Sequence, residues 1–301
     1  MASQSAPFTC VTAFASEPFE GNPAAVIFLD PLATPQKTLH GLALNFNAPM
    51  VAFVKPVEAL QSGQTTIHTD IRFVTITGTS SALCGHGTLA AAKALLACPN
   101  ITGKGIAEIQ FRTLNDQIIT VWVRDAGFLE LELPSSSAKS LPKEEEERIR
   151  ALVNRAWGRD VKVNHIAAGE GNFKHALMIE IDETEDLAGS KVNTSVFSET
   201  RYGINTVTSA IAPGKRLVEE QFVSRMFSPV VPGGEDHVCG SAHCLLIPYW
   251  YNKHGIESGK QIVARQVSER GGVLKVTWDG ERKTIRLCGE ATIISTGVCY
   301  F

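Results

Sequence analysis

The 301-residue chain lacks most signatures that announce a chemistry. It has no Cys-x-x-Cys pair and no His-Glu-x-x-His, so no zinc site, structural or catalytic, is expected. No Gly-x-Gly-x-x-Gly follows a strand pattern, and no phosphate loop of the Gly-x4-Gly-Lys-Ser/Thr type occurs. A dinucleotide or nucleotide cofactor is therefore not expected. No apolar run reaches the eighteen or so residues that a membrane helix needs. The net charge of −3 comes without a basic patch, which argues against nucleic acid as partner. Met1 to Pro7 lack the charged and apolar regions of a signal peptide. Seven cysteines, an odd number without regular spacing, suit a reducing cytoplasm better than a disulfide framework.

What remains is a globular chain, 44% hydrophobic and 20% charged, long enough for two domains that each bury a core. One stretch organises it. Cys84-Gly85-His86-Gly87 opens an apolar run, 88–97, in which only Lys93 is charged. A helix apolar nearly all round is a buried helix. The free amides and positive dipole end of its first turn favour an anion such as a substrate carboxylate. The design returns about half a chain later. Cys239-Gly240-Ser241-Ala242-His243 leads into Cys244, Leu245, Leu246, Ile247, Tyr249 and Trp250. Two similar half-domains follow, each with a central helix that opens on a Cys-Gly turn.

Apolar alternation predicts strands at 8–14, 24–29 and 51–54, two short strands within 65–76, and further strands at 106–111, 117–123 and 128–133. Thr34-Pro35 opens a helix that runs to about Asn45 with Leu39, Leu42 and Ala43 inward. Residues 134–137, Pro-Ser-Ser-Ser, read as a loop and a domain crossing. The amphipathic helix 144–157 places Ile149, Leu152, Val153, Ala156 and Trp157 on one face, between Pro142 and Gly158. Strands are expected at 175–181, 206–211, 261–266, 274–278, 283–287 and 291–295, while 222–227 leads to Pro229 and the loop 232–234. Many strands around two central helices make an α+β pattern.

Several segments, taken together and in order, resemble the PhzF family, the phenazine-biosynthesis-like proteins of the diaminopimelate epimerase fold. They are Phe14 with Gly21-Asn22-Pro23-Ala24-Ala25-Val26, Leu83 to Leu89 around Cys84, Ser224-Arg225-Met226-Phe227-Ser228-Pro229, Glu235 to His243, and Gln266 to Gly272. The resemblance implies two pseudo-symmetric β-barrel-like lobes, each wrapped around a central helix, with the active site in the cleft between them. It implies an N-terminal lobe over 1–128 joined by a returning strand at 287–301, and a C-terminal lobe over 129–286. It also implies a homodimer and no cofactor.

Family chemistry is proton movement on a small metabolite. By motif, its histidine, aspartate and serine fall on His86, Asp236 and Ser241. Its shuttle glutamate falls on Met50, which carries no proton, and a second common carboxylate falls on Ser80. The epimerase branch offers another route, a pair of cysteines in Cys-Gly turns, and here these are Cys84 and Cys239. A thiolate at a helix N-terminus has a lowered pKa, so it can act as base near neutral pH.

The catalytic candidates are therefore Cys84, His86, Asp236 and Cys239. Asn22, Met50, Gly85, Gly87, Gly240 and Ser241 are the substrate-binding candidates. Either cysteine can equally be a small packing residue, Asp236 and Ser241 can simply cap the second helix, and Met50 can be filler or the wall of an apolar pocket. His237 and His243 read as structural, and Cys10, Cys98, Cys244, Cys288 and Cys299 as core or surface thiols. The expected activity is a cofactor-independent isomerase or epimerase acting on a small carboxylate or carbonyl metabolite, with secondary metabolism a fitting setting. An enzyme of this type without the shuttle, catalysing a cyclisation or rearrangement, and a non-catalytic binding protein are the alternatives.

Overall fold

The computed structural model describes residues 4–58, 60–211 and 219–301. The first three residues, part of the segment read for a leader, lie outside them. The chain divides into two compact units, one of residues up to Glu132 with Cys288–Phe301, the other Leu133–Leu287. No helix among the described residues is long and apolar enough to cross a membrane.

The first unit contains β1 (Ser5–Ala13), β2 (Asn22–Phe28), α1 (Gln36–Phe46), β3 (Met50–Val54), β4 (Thr66–Thr75) and the two-residue β5 (Ser80–Ser81). Then come α2 (Gly85–Leu96), β6 (Glu108–Arg112), β7 (Ile118–Val123) and β8 (Leu129–Pro134). The second has β9 (Ala138–Ser140), α3 (Lys143–Trp157), β10 (Val163–Gly169), β11 (Ala176–Ile181), β12 (Ile204–Ala210), β13 (Glu220–Phe227) and β14 (Glu235–Asp236). It continues with α4 (Gly240–His254), β15 (Ile262–Gln266), β16 (Gly272–Asp279) and β17 (Thr284–Gly289), and β18 (Ala291–Tyr300) ends the chain.

The pairing repeats. In the first unit β1–β2 is antiparallel, β2–β3 parallel, β3–β4 antiparallel, β4–β6 parallel and β6–β7 antiparallel. In the second, β10–β11 is antiparallel, β11–β12 parallel, β12–β13 antiparallel, β13–β15 parallel and β15–β16 antiparallel. A two-residue strand and a Cys-Gly helix interrupt each series at the same place. In the first unit β18 adds antiparallel beside β1.

Each helix sits where its sequence sends it. α2 is buried along ten of its twelve residues and packs against β1, β2, β3, β7 and β18. α4 packs against β11, β12, β13 and β16. Burying a helix on all sides removes far more apolar area from water than an amphipathic one, which is why both carry almost no charge. The amphipathic helices take the other sheet faces. Leu39, Leu42 and Ala43 of α1 meet Ile27, Val51 and Phe53. Ile149, Leu152 and Val153 of α3 join a cluster with Ile179, Val207 and Phe227. Pro248 breaks the α4 ladder because it has no N–H to give Cys244. The freed Cys244 carbonyl accepts instead from the Ser136 N–H at 2.9 Å.

Two expectations are corrected. Residues 65–76 form not two short strands but the single β4, because no turn residue interrupts the alternation from Ile67 to Phe73. Strand β10 has no counterpart among the expected strands, because Asn164 and His165 break its apolar pattern and only its second half is apolar.

Candidate active site

In the first unit the Cys84 turn gathers residues from three strands. Gly21 turns the chain into β2. Its φ is +70°, and a Cβ there would sit 2.3 Å from the Ala13 carbonyl oxygen, so only glycine fits. This delivers Asn22, fully buried, as the first residue of β2. Its side-chain nitrogen lies 3.3 Å from His86 Nδ1. The amide and the Nδ1 edge of the ring are thus in hydrogen-bond contact.

Cys84 is the N-cap residue of α2 in extended conformation, and its sulfur accepts from the Gly87 N–H at 3.4 Å. The same sulfur lies 3.5 Å from His86 Nδ1 and 3.9 Å from Nε2. Thiol, imidazole and amide thus form one buried chain at a helix mouth. Space at Gly87 is tight. A Cβ there would stand 3.2 Å from each of Cys84 Sγ, Met50 Cγ and Phe73 Cδ1. Met50, at the start of β3, therefore stands beside Gly87 in the same turn, an apolar side chain where the resemblance expects a carboxylate. Phe73 stands there too; only its place on an alternating strand pointed to it.

The second unit builds its mouth differently. Cys239 is the extended N-cap residue of α4 and is buried with Met226 and Ala242. Asp236, buried at the end of β14, pairs in register with Met226. The helix-mouth expectation of a lowered thiol pKa fails here. Burial pushes the Cys239 thiol well above its ordinary range, and the charge of Asp236 and its hydrogen bond push the same way, outweighing the Ala242 N–H. Removing water disfavours the thiolate more than one helix end favours it. Cys239 is a proton holder at neutral pH. Gly240 is buried and Ser241 partly exposed in the first turn of the helix.

Two residues not expected at the site fix this turn. Gln266, completely buried, accepts from the Cys239 N–H at 2.9 Å and donates to the Asp236 carbonyl at 2.5 Å. The sequence held a signal for it, since Gln266 heads the last matching segment. His243, expected to be structural, is completely buried with Nδ1 2.7 Å from the Cys239 carbonyl oxygen. Burial lowers its pKa to about 4, so the ring is neutral, with its Nδ1 proton on that oxygen. The site candidates thus form two clusters: Asn22, Met50, Cys84, Gly85, His86 and Gly87 in one unit, Asp236, Cys239, Gly240 and Ser241 in the other. Among the described residues no group of three or more His, Cys, Asp or Glu is placed to hold a metal ion.

Comparison with known proteins gives this arrangement a context. Residues 11–297 match the family described as Phenazine biosynthesis-like protein. The chain belongs to that family. It is 31% identical over 288 residues to an uncharacterized isomerase of Halalkalibacterium halodurans, covering 96% of each chain. It also superposes on the crystal structure of a PhzF family phenazine biosynthesis protein of Enterococcus faecalis with a TM-score of 0.79. That match has 27% identity and covers 99% of this chain and all of the other. A hydroxyproline epimerase from Agrobacterium vitis shares the fold, with a TM-score of 0.60 at 12% identity over all of this chain and 92% of that one. The α+β fold of PhzF proteins and epimerases is therefore the fold of this chain, and the family supports an isomerase or epimerase kind of function.

Proposed function

We propose that the protein is a cofactor-independent isomerase that moves a proton on a small carboxylate or carbonyl metabolite, of the kind met in secondary metabolism. One observation carries the reading: the two helix mouths hold their thiols in opposite settings. The Cys84 sulfur faces an imidazole and a helix-mouth amide, the partners of a base. Cys239 is kept as thiol by burial and Asp236, the state of an acid.

In this reading the Cys84 sulfur, relayed by His86, takes the proton from the carbon next to the carboxylate or carbonyl. The C–H electron pair passes into that group as an enolate. Cys239 then gives its S–H proton to the same carbon, and solvent restores both sulfurs. The helix-mouth amides at Gly85 and Gly240, with the Asn22 amide and the Ser241 hydroxyl, hold the charged oxygen. A homodimer in the cytoplasm belongs to the same reading.

The test is turnover in D₂O with a panel of amino acids, hydroxy acids and enolisable ketones, read by mass spectrometry. Deuterium should enter the product, and Cys84→Ser and Cys239→Ser should each abolish its entry. Full exchange in both variants overturns the two-thiol mechanism. Met50 favours a second reading, because it puts an apolar side chain beside Gly87 at the Cys84 mouth. An enzyme that shapes an intermediate for cyclisation or rearrangement would keep its rate in the cysteine variants and lose it in His86→Asn or Asp236→Asn.

A further inference from the structure

The last turns of α4 border a cleft that the proposed chemistry does not use. Tyr249 and Lys253 lie about 15–20 Å along the helix from Cys239, at a rise of roughly 1.5 Å per residue. Opposite them stand the 135–138 segment, His165 of β10, and Trp278 and Lys283 at the β16–β17 turn. The space they enclose is about 670 Å³, the size of a small-molecule site.

Its walls are flat rings. His165 stacks parallel on Tyr249, with centroids 5.6 Å apart and planes 9° apart. Trp278 forms another wall. Its lining is basic. No carboxylate lines the cleft, while Lys253, Lys283 and His165 do. Lys253 is engaged: its Nζ sits 2.5 and 2.6 Å from the two carboxylate oxygens of buried Glu180, which also accepts from the Tyr249 hydroxyl. Lys283 is exposed and has no carboxylate partner among the described residues. It adopts φ +52°, an uncommon conformation for a residue with a side chain, and its carbonyl accepts from the Ser135 N–H at 2.8 Å. That bond ties the Lys283 backbone to the serine segment. The segment is itself anchored, through Ser136, to the carbonyl that Pro248 leaves open.

We propose that this cleft binds an organic anion with a planar ring, the ring lying against the aromatic walls and the carboxylate or phosphate oxygens on Lys283 Nζ and the hydroxyls of Ser135 and Ser137. An ammonium with no counter-ion, beside hydroxyls and flat apolar walls, suits such a ligand better than a neutral or cationic one.

The test is calorimetric titration of the full chain with phenyl phosphate and with benzoate, against benzyl alcohol as the uncharged control. Both anions should bind more tightly than the alcohol. Phenyl phosphate ahead of benzoate assigns a phosphate ligand, and the reverse order a carboxylate. Lys283→Gln should weaken the better anion about tenfold, the loss of one charge-assisted hydrogen bond. Ser137→Glu, which puts a carboxylate into the cleft, should abolish binding. Both positions are exposed, so circular dichroism should show an unchanged fold. Anions that bind no better than the alcohol, or unchanged binding in both variants, overturn the proposal.

Discussion

Gln266→Met tests how the second helix mouth is held. The substitution keeps length and rough shape but deletes an acceptor and a donor. Nothing then meets the Cys239 N–H or the Asp236 carbonyl at the places where Gln266 met them at 2.9 and 2.5 Å. Gln266 is completely buried, so water does not replace it without rearrangement. A buried polar group that loses its partner costs about 1–3 kcal/mol, so two should cost roughly 2–6 kcal/mol, less what methionine regains as an apolar side chain. Three of the four tryptophans, Trp157, Trp250 and Trp278, lie in the same unit, so tryptophan fluorescence in urea follows the relevant transition. The midpoint should fall with the slope nearly unchanged. Deuterium exchange into product should fall further than stability at working temperature explains, since Gln266 ties both Asp236 and Cys239. A loss under about 1 kcal/mol would mean that the turn holds without the amide and that the two bonds add little.

The remaining predictions concern charge. His243 has its pKa lowered from 6.5 to about 4, so between those values the unfolded chain binds more protons than the folded one. Its stabilising effect is present above pH 6.5 and is lost as pH falls toward 4, by about 3 kcal/mol at most. Urea midpoints measured across that range should show this slope, and His243→Asn should flatten it. Met50→Glu places a carboxylate against Phe73 and Gly87, where burial raises its pKa, so it should be tolerated at pH 5 and destabilise at pH 8. Melting temperatures at both pH values check the sign. Lys253→Met leaves the buried Glu180 carboxylate with only the Tyr249 hydroxyl and should cost about 1–3 kcal/mol in the same urea assay.

The central helices were legible because burial on all sides leaves a plain mark, a run of Leu and Ala with almost no charge. The cap residues were legible too, since Cys-Gly appears twice at the start of such a run. The strand count was harder. Strand β10 alternates poorly because the polar Asn164 and His165 interrupt its apolar run, so periodicity could not find it. The proton state of Cys239 was not legible at all. The helix dipole can be read from sequence, but desolvation depends on what packs over the sulfur, here Met226 and Ala242 from separate elements. Gln266 stood in a matching segment, but its role was hidden for a similar reason, since a glutamine at the end of a strand looks solvent-facing until the turn it reaches is known.

The two mouths occupy the same place in a repeated topology yet differ in a few side chains, and those differences separate their chemistry. Two residues after the cysteine stands His86 in one unit and Ser241 in the other. Three residues before it stand Ser81 and Asp236 respectively. The imidazole gives Cys84 a partner that can take a proton, whereas the carboxylate opposes loss of one from Cys239. If this contrast governs reactivity, Asp236→Asn should bring the Cys239 titration down while burial, the larger cause, still holds it above an exposed thiol. Iodoacetamide labelling across a pH series, read cysteine by cysteine by mass spectrometry, measures this directly. Because the thiolate is the reactive form, the variant should label Cys239 faster at a given pH, with the labelling of Cys84 unchanged. An unaltered Cys239 profile would show that burial alone holds the proton, and Asp236 would then need another role.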